Sequence, residues 1–374
     1  MEPDEAAVGV MHTPRTVDLA ITHHCNLRCT YCSHFSSAGD AGRDLPTGEW
    51  LQFFEELNRC AVMGVTLQGG EPFCRPDLPE LIGGIVKNRM RFSILSNGTR
   101  ITDELAAFIA GTGRCNTVQV SIDGSTPEVH DSFRGRGTFV RAVQGISRLH
   151  EQGVPVSVRV TVHRKNVNDI DAIARFLLED LGLPSFSTNA ASYFGLCREH
   201  ADAVQLTPED RTAAMATLLG LNRRYGGRIS ATAGPLAEAE HWLKMERARR
   251  EGRAPLPGGG HLTGCGCAMS KIAVRADGAI VPCILLGHIE LGRINRDNLG
   301  EIWRTHPEIQ RMRSRREIPL EQFPFCQGCP YMPYCTGNCP ALAATLLGDA
   351  YHPSPDACLR RFLEAGGRLP EGEA

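Results

Sequence analysis

Between residues 16 and about 193, short apolar and β-branched runs alternate with longer stretches whose apolar residues recur at helical spacing. The runs TVDLAIT (16–22), GVTLQGG (64–70), RFSILSNG (91–98), TVQVSIDG (117–124), VPVSVRVTV (154–162) and SFSTNAA (185–191) predict six strands. Helices are predicted between them over 47–60, 78–88, 102–111, 139–152 and 169–181. The first shows the reason: Trp50, Phe53, Phe54 and Leu57 stand at i, i+3, i+4 and i+7 on one face, and Thr47 is placed to cap, with Trp50 three residues on. Strands that alternate with helices pair in parallel, in a sheet curved into a barrel or left open. In either form ligands gather at the C-terminal edge, where strands hand over to helices.

That edge is where polar and ligating residues collect. Strand one runs into HHCNLRCTYCSHF (23–35), with three cysteines spaced C-x3-C-x2-C; GGEP follows strand two, SNGT strand three and SIDG strand four. Residues 207–262 read differently, as charged helices (MERARREGR) and a linker (APLPGGG) that bridge to a region dense in cysteine, glycine and proline. The boundaries expected are a tail at 1–14, a core at 15–200, a bridge at 201–262 and a second domain at 263–374. No internal repeat stands out.

Composition narrows the classes. A chain of 374 residues with 42% hydrophobic content has core enough for two domains. Lys+Arg 40 against Asp+Glu 42 leaves −2, so no bulk field recommends nucleic acid or an acidic membrane surface. No apolar run approaches the roughly 18 residues of a membrane helix. The start MEPDEAAVGV is acidic where a signal peptide is basic and then apolar, so a cytoplasmic protein is expected, with no membrane and no nucleic-acid partner. Fifteen cysteines are an odd number, and in a reducing compartment they point to metal rather than to disulfides.

Cys25, Cys29 and Cys32 allow two readings from their spacing alone: packing or zinc with a distant fourth ligand, or three irons of a four-iron cluster with the fourth iron open. Position after the first strand favours the second, because an open metal position is what a catalytic centre needs. GGEP alone is a turn, and Ser121 or Asp123 alone a strand-end cap. At the C-terminal end, C-x2-C spacing by itself also suits a zinc ribbon.

Together these residues resemble the radical S-adenosylmethionine (SAM) enzymes with a C-terminal SPASM domain. The resemblance implies an α/β fold, a partial (β/α)6 TIM-like barrel followed by a small cysteine-rich domain. It implies a [4Fe-4S] cluster on Cys25, Cys29 and Cys32 whose open iron is chelated by SAM, and cleavage of SAM to a 5'-deoxyadenosyl radical. Tyr31 is the aromatic residue that the family prefers before the last cysteine. Gly69, Gly70, Glu71 and Pro72 match the segment that meets the SAM amino group. Ser96, Asn97, Ser121 and Asp123 resemble ribose and carboxylate contacts, and Arg134 an arginine that reaches the SAM carboxylate.

From Cys267, ten residues lead to Gly278 and four more to Cys283; Cys326, Cys329, Cys335, Cys339 and Cys358 then follow with the seven-cysteine spacing of SPASM domains. By analogy Cys267, Cys283 and Cys339 hold auxiliary cluster I, with Cys265 left open as a ligand. Cys326, Cys329, Cys335 and Cys358 hold auxiliary cluster II, three [4Fe-4S] clusters in all. GCGC departs from the family's wider first spacing and needs a tight turn, which Gly264 and Gly266 would permit. Of the other cysteines, Cys60 and Cys115 read as packing. Cys197, in YFGLCREH, is either packing or, as in some peptide epimerases of the superfamily, a hydrogen-atom donor. His23, His24 and His34 are not read as ligands.

Such enzymes mostly act on peptides. The resemblance implies a maturase of the SynChlorMet type that crosslinks or epimerises a precursor peptide. A sulfatase-maturing role is disfavoured by Ile284, where an Asp is usual after Cys283. With 24 residues before Cys25 there is no room for a winged-helix leader-binding domain, so a separate leader-binding protein or an edge-strand contact is expected. A flavodoxin or ferredoxin would donate electrons. An anaerobic sulfatase-maturing-like or small-molecule radical SAM dehydrogenase and an iron-sulfur electron carrier are the alternatives.

Overall fold

The computed structural model describes residues 10–35, 42–263 and 265–371. The first nine residues, SSAGDA (36–41) and Gly264, one of the two glycines expected to permit the C-x-C turn, lie outside the described residues.

All six predicted strands form: β1 (Thr16–Thr22), β2 (Gly64–Gly69), β3 (Arg91–Ser96), β4 (Cys115–Ser121), β5 (Val156–Val162) and β6 (Phe186–Ala190). They pair in parallel and in chain order. The sheet then extends past both ends. A short β7 (Ile229–Ala231) adds beside β6, and β8 (Lys271–Val274) pairs in parallel with β1 before β9 (Ala279–Val281) and β10 (Gly292–Arg293) turn back antiparallel. The C-terminal region therefore begins inside the sheet of the core. Three residues of β7 are too few to show a period, which hid that strand in a stretch read as helical.

Alternation along the strands has a physical meaning here. Val17, Leu19, Val65, Leu67, Phe92, Ile94, Val118, Val120, Val158 and Val160 are buried in one core with the apolar faces of the covering helices. The intervening positions are polar: Gln68, Gln119, Ser121, Arg159, Thr161 and Asn189 all face a common cavity. A parallel strand packed on both faces would be apolar throughout, so a polar inner face marks a binding lumen rather than a second core.

The first helix, Thr47–Arg59, buries Trp50, Phe53, Phe54 and Leu57 as predicted. Thr47 does not cap it. Pro46 takes the cap position in extended conformation, Thr47 lies inside the first turn, and its hydroxyl donates to the Asp77 carboxylate. Arg75 meets the same carboxylate and also donates to the carbonyls of Ile21 and Leu45, which ties the helix start to the loop after β2. A helix over Pro127–Arg134, absent from the prediction, follows β4. The bridge holds helices Pro208–Arg224 and Pro235–Arg250, the first with a Thr207–Asp210 capping box. Among the described residues no helix is long and apolar enough to cross a membrane.

Candidate active site

The loop after β1 is held by backbone contacts that explain its glycine partners. The Gly70 amide donates to the Thr22 carbonyl and the Glu71 amide to that of His24, both at 2.8 Å. A Cβ at Gly70 would stand 2.1 Å from the His24 oxygen, and one at Gly69 2.3 Å from the Thr22 oxygen. Asp44, not singled out in the sequence, accepts from the His23 amide at 2.7 Å and from the Thr22 hydroxyl at 2.5 Å. On the far side, the Leu196 amide donates to the Cys32 carbonyl at 2.9 Å.

Glu71 is buried, and both of its oxygens are already engaged. Oε1 accepts from the Phe73 amide and the Ser96 hydroxyl, and Oε2 from the Asn97 amide at 2.7 Å. Burial raises its pKa to about 7 in spite of those three donors. Its side chain thus sets the position of the Ser96–Asn97 turn. Asn97 in turn donates to Asn26 at 3.1 Å and points its amide toward Cys25 Sγ at 3.9 Å. Asn26, between the first two cysteines, also binds the Thr99 hydroxyl at 2.9 Å.

A second buried group stands beside Cys29. Asp123 is fully buried and pairs with Arg134 Nε at 2.5 Å; it also accepts from the Tyr31 hydroxyl and, at 2.7 Å, from the Thr161 amide. Burial works against the Asp123 charge, but Arg134 and its other neighbours hold its pKa below the usual carboxylate range. The Tyr31 ring lies under the Arg134 guanidinium, 5.4 Å away.

These elements enclose a cavity of about 720 Å³. Cys25, Cys29 and Cys32 line one side, as do Tyr31, Gly69, Gly70, Glu71, Ser96, Asn97, Ser121 and Arg134 of the predicted site. Pro72 and Asp123 stand behind that lining. Cys197 is not at the cavity: it is completely buried among Phe133, Ala191 and Val204, and accepts from Gln205 at 3.2 Å. The far wall is formed by the start of the helix Pro235–Arg250 and by C-terminal residues that include Cys339 and Asp356.

The C-terminal thiols gather in two sets. Cys265 and Cys267 stand close together in a buried site, and their contact lowers the Cys265 pKa and raises that of Cys267. Cys283 and Cys339 lie within the field of this pair, and burial raises Cys283 to about 11. Arg315, buried and bonded to the carbonyls of Thr263 and Ala350, lies beside this set, an environment no sequence spacing revealed. Cys326, Cys329, Cys335 and Cys358 line a separate void of about 20 Å³. Among the described residues, no three His, Cys, Asp or Glu side chains converge as the shell of a single metal ion.

The family model of the radical SAM superfamily matches residues 19–177, and that of the SPASM iron-sulfur cluster-binding domain matches residues 265–330. This chain belongs to the radical SAM superfamily. It is an enzyme that uses SAM and [4Fe-4S] centres, which sets aside the reading as an electron carrier. The AdoMet-dependent heme synthase of Methanosarcina barkeri is 26% identical over 93% of this chain and 97% of its own length. The PqqA peptide cyclase of Ruegeria pomeroyi is 24% identical over 92% of this chain and 87% of its own. In fold, the chain resembles SuiB of Streptococcus suis bound to its precursor peptide SuiA, with TM-score 0.70 at 15% identity over 94% of this chain and 77% of that one.

The donor chemistry of this radical SAM chain fits a thiolate-held cluster. Burial raises Cys25 to about 12 and Cys29 to about 11, so an isolated thiolate is disfavoured in either place and a cation at the loop would stabilise it.

Proposed function

We propose that this enzyme is a peptide maturase, which takes a hydrogen atom from a residue of a ribosomally made precursor peptide so that a crosslink or an epimerised residue results. The observation that carries this is the shared cavity: Cys25, Cys29 and Cys32 line it on one side and Cys339 on the other, so a substrate between them faces both sets of thiols. A peptide cyclase among the relatives, similar over nearly the whole chain, supports the substrate class.

In this reading Cys25, Cys29 and Cys32 hold the SAM cluster, Cys267, Cys283 and Cys339 with Cys265 hold one auxiliary cluster, and Cys326, Cys329, Cys335 and Cys358 the other. Bound together, cluster and SAM supply the 5'-deoxyadenosyl radical that abstracts hydrogen. Glu71 fixes the Ser96–Asn97 turn, Asp123 orients Arg134 toward the SAM carboxylate, and Ser121 lies on the inner wall beside them. A separate leader-binding protein and a flavodoxin or ferredoxin complete the system in the cytoplasm.

The test is anaerobic reconstitution with SAM, a reductant and the short peptide encoded beside the gene. The expected result is about twelve irons per chain, 5'-deoxyadenosine, and a peptide changed in mass or labelled with deuterium from solvent. An unchanged, unlabelled peptide overturns the reading. The heme synthase relative, similar over 97% of its length, supports a second reading in which a tetrapyrrole-class molecule is the substrate. That reading requires such a molecule, and not the peptide, to be consumed.

A further inference from the structure

We propose that the inner wall of the cavity holds a carboxylate-binding subsite built on Arg159, which receives an acidic group of the substrate. This rests on the reading that the cavity holds the substrate beside SAM.

Arg159 stands in VSVRVTV at an inward position of β5, in register with Ser121 on β4 and Ser187 on β6. Its Nε donates to the Ser187 hydroxyl at 3.2 Å; among the described residues its two terminal nitrogens have no acceptor and no carboxylate pairs with it. The other two arginines of the cavity wall are neutralised. Arg134 pairs with Asp123, and Arg211 with Asp356 at 3.2 Å and Glu238 at 3.7 Å. Arg159 is half-buried, and burial with no opposing charge lowers its pKa while leaving it a cation. An unpaired guanidinium drawn partly out of water is costly unless something anionic completes it. Its free fork matches a carboxylate through two parallel N–H···O bonds.

The surroundings suit such an occupant. Gln68 and Gln119 face the same cavity, and their amides have no partner among the described residues. Asn189 Oδ1 is buried and also unpartnered. These amides can bind the polar groups next to an acid. SAM carries a carboxylate too, but SAM is expected to chelate the cluster, which places its carboxylate at the cysteine loop. Arg134 is the cation at that loop, its guanidinium 5.4 Å from the ring of Tyr31, which stands between Cys29 and Cys32. Arg159 feels burial alone.

The test is calorimetric titration of the reconstituted, SAM-loaded enzyme with glutarate and with its uncharged diamide, glutaramide. Wild-type enzyme is expected to bind glutarate and not glutaramide. Arg159→Gln should weaken glutarate roughly tenfold to a hundredfold, as loss of charged hydrogen bonds does, and Arg159→Lys, which keeps a charge but no fork, by less. Iron content and SAM affinity should match the wild type in both variants. If Arg159→Gln does not fold, a severalfold loss in Arg159→Lys supports the subsite, and no loss overturns it. The proposal also fails if wild type does not bind glutarate, if glutaramide binds equally well, or if Arg159→Gln loses affinity for SAM and not for glutarate. No peptide is present, so this result is separate from whether the precursor peptide is modified.

Discussion

Gly70 leaves the cysteine loop no slack. The sequence showed GGEP as a turn, but only the packed structure shows that two backbones meet there with no space for a Cβ. Gly70→Ala should push the loop off its register and lower reconstituted iron by about four per chain, the content of one cluster. Gly83→Ala, on a helix face with nothing within 4 Å, is the control and should leave iron unchanged. Iron analysis checks both, and full iron in Gly70→Ala would show that the close approach is not what holds the loop. Glu71 teaches the complementary lesson. The resemblance implies that its segment meets SAM, and the structure adds that its three donors come from Phe73, Ser96 and Asn97, partners that no spacing announces.

At the scale of elements, the end of β5 and the helix Pro127–Arg134 bring two buried histidines together around Asp123. His130 Nδ1 accepts from the Asp123 amide at 3.1 Å, His163 Nδ1 accepts from the Lys165 amide at 3.3 Å, and the His163 ring packs 4.0 Å from Phe133. Burial lowers both pKa values to about 4. The fold thus holds them neutral, while the unfolded chain takes up protons first as the pH falls. Their contribution is whole above about 6.5 and is lost on acidification, by roughly 1.4 kcal/mol per histidine per pH unit down to about 4. Melting temperatures at pH 7.5 and 5.5 should differ less in His163→Leu than in the wild type. An equal drop would mean that His163 titrates normally. No local pattern announces this pair, because the helix that carries His130 packs it against a strand end some thirty residues on.

At the scale of the whole molecule, Arg211 joins three parts of the chain. From the helix Pro208–Arg224 it reaches Asp356 near the C-terminus, both carbonyl and carboxylate, and approaches Glu238 on the next helix. It is nearly buried, so Arg211→Met leaves two acidic groups facing each other without their cation. A loss of about 3 kcal/mol is expected in chemical denaturation, the size typical of a broken buried pair. A change below about 0.5 kcal/mol would reduce the contact to a surface pair.

The sequence by itself determined the order of the first six strands and the buried face of the first helix, and it marked the spacing of the cysteines. These are written in local periods and in spacings between near neighbours, which survive without knowledge of the fold. It also carried the polar positions of the inner strand faces, since alternation along a strand is local too. Tertiary structure alone decided that Cys197 lies away from the cavity, that Thr47 binds Asp77 instead of capping, and that Arg159 is the cavity arginine left without a carboxylate. Each depends on what stands across the sheet or on a distant loop, and the charge balance of a buried group is set by those partners rather than by its neighbours in the chain.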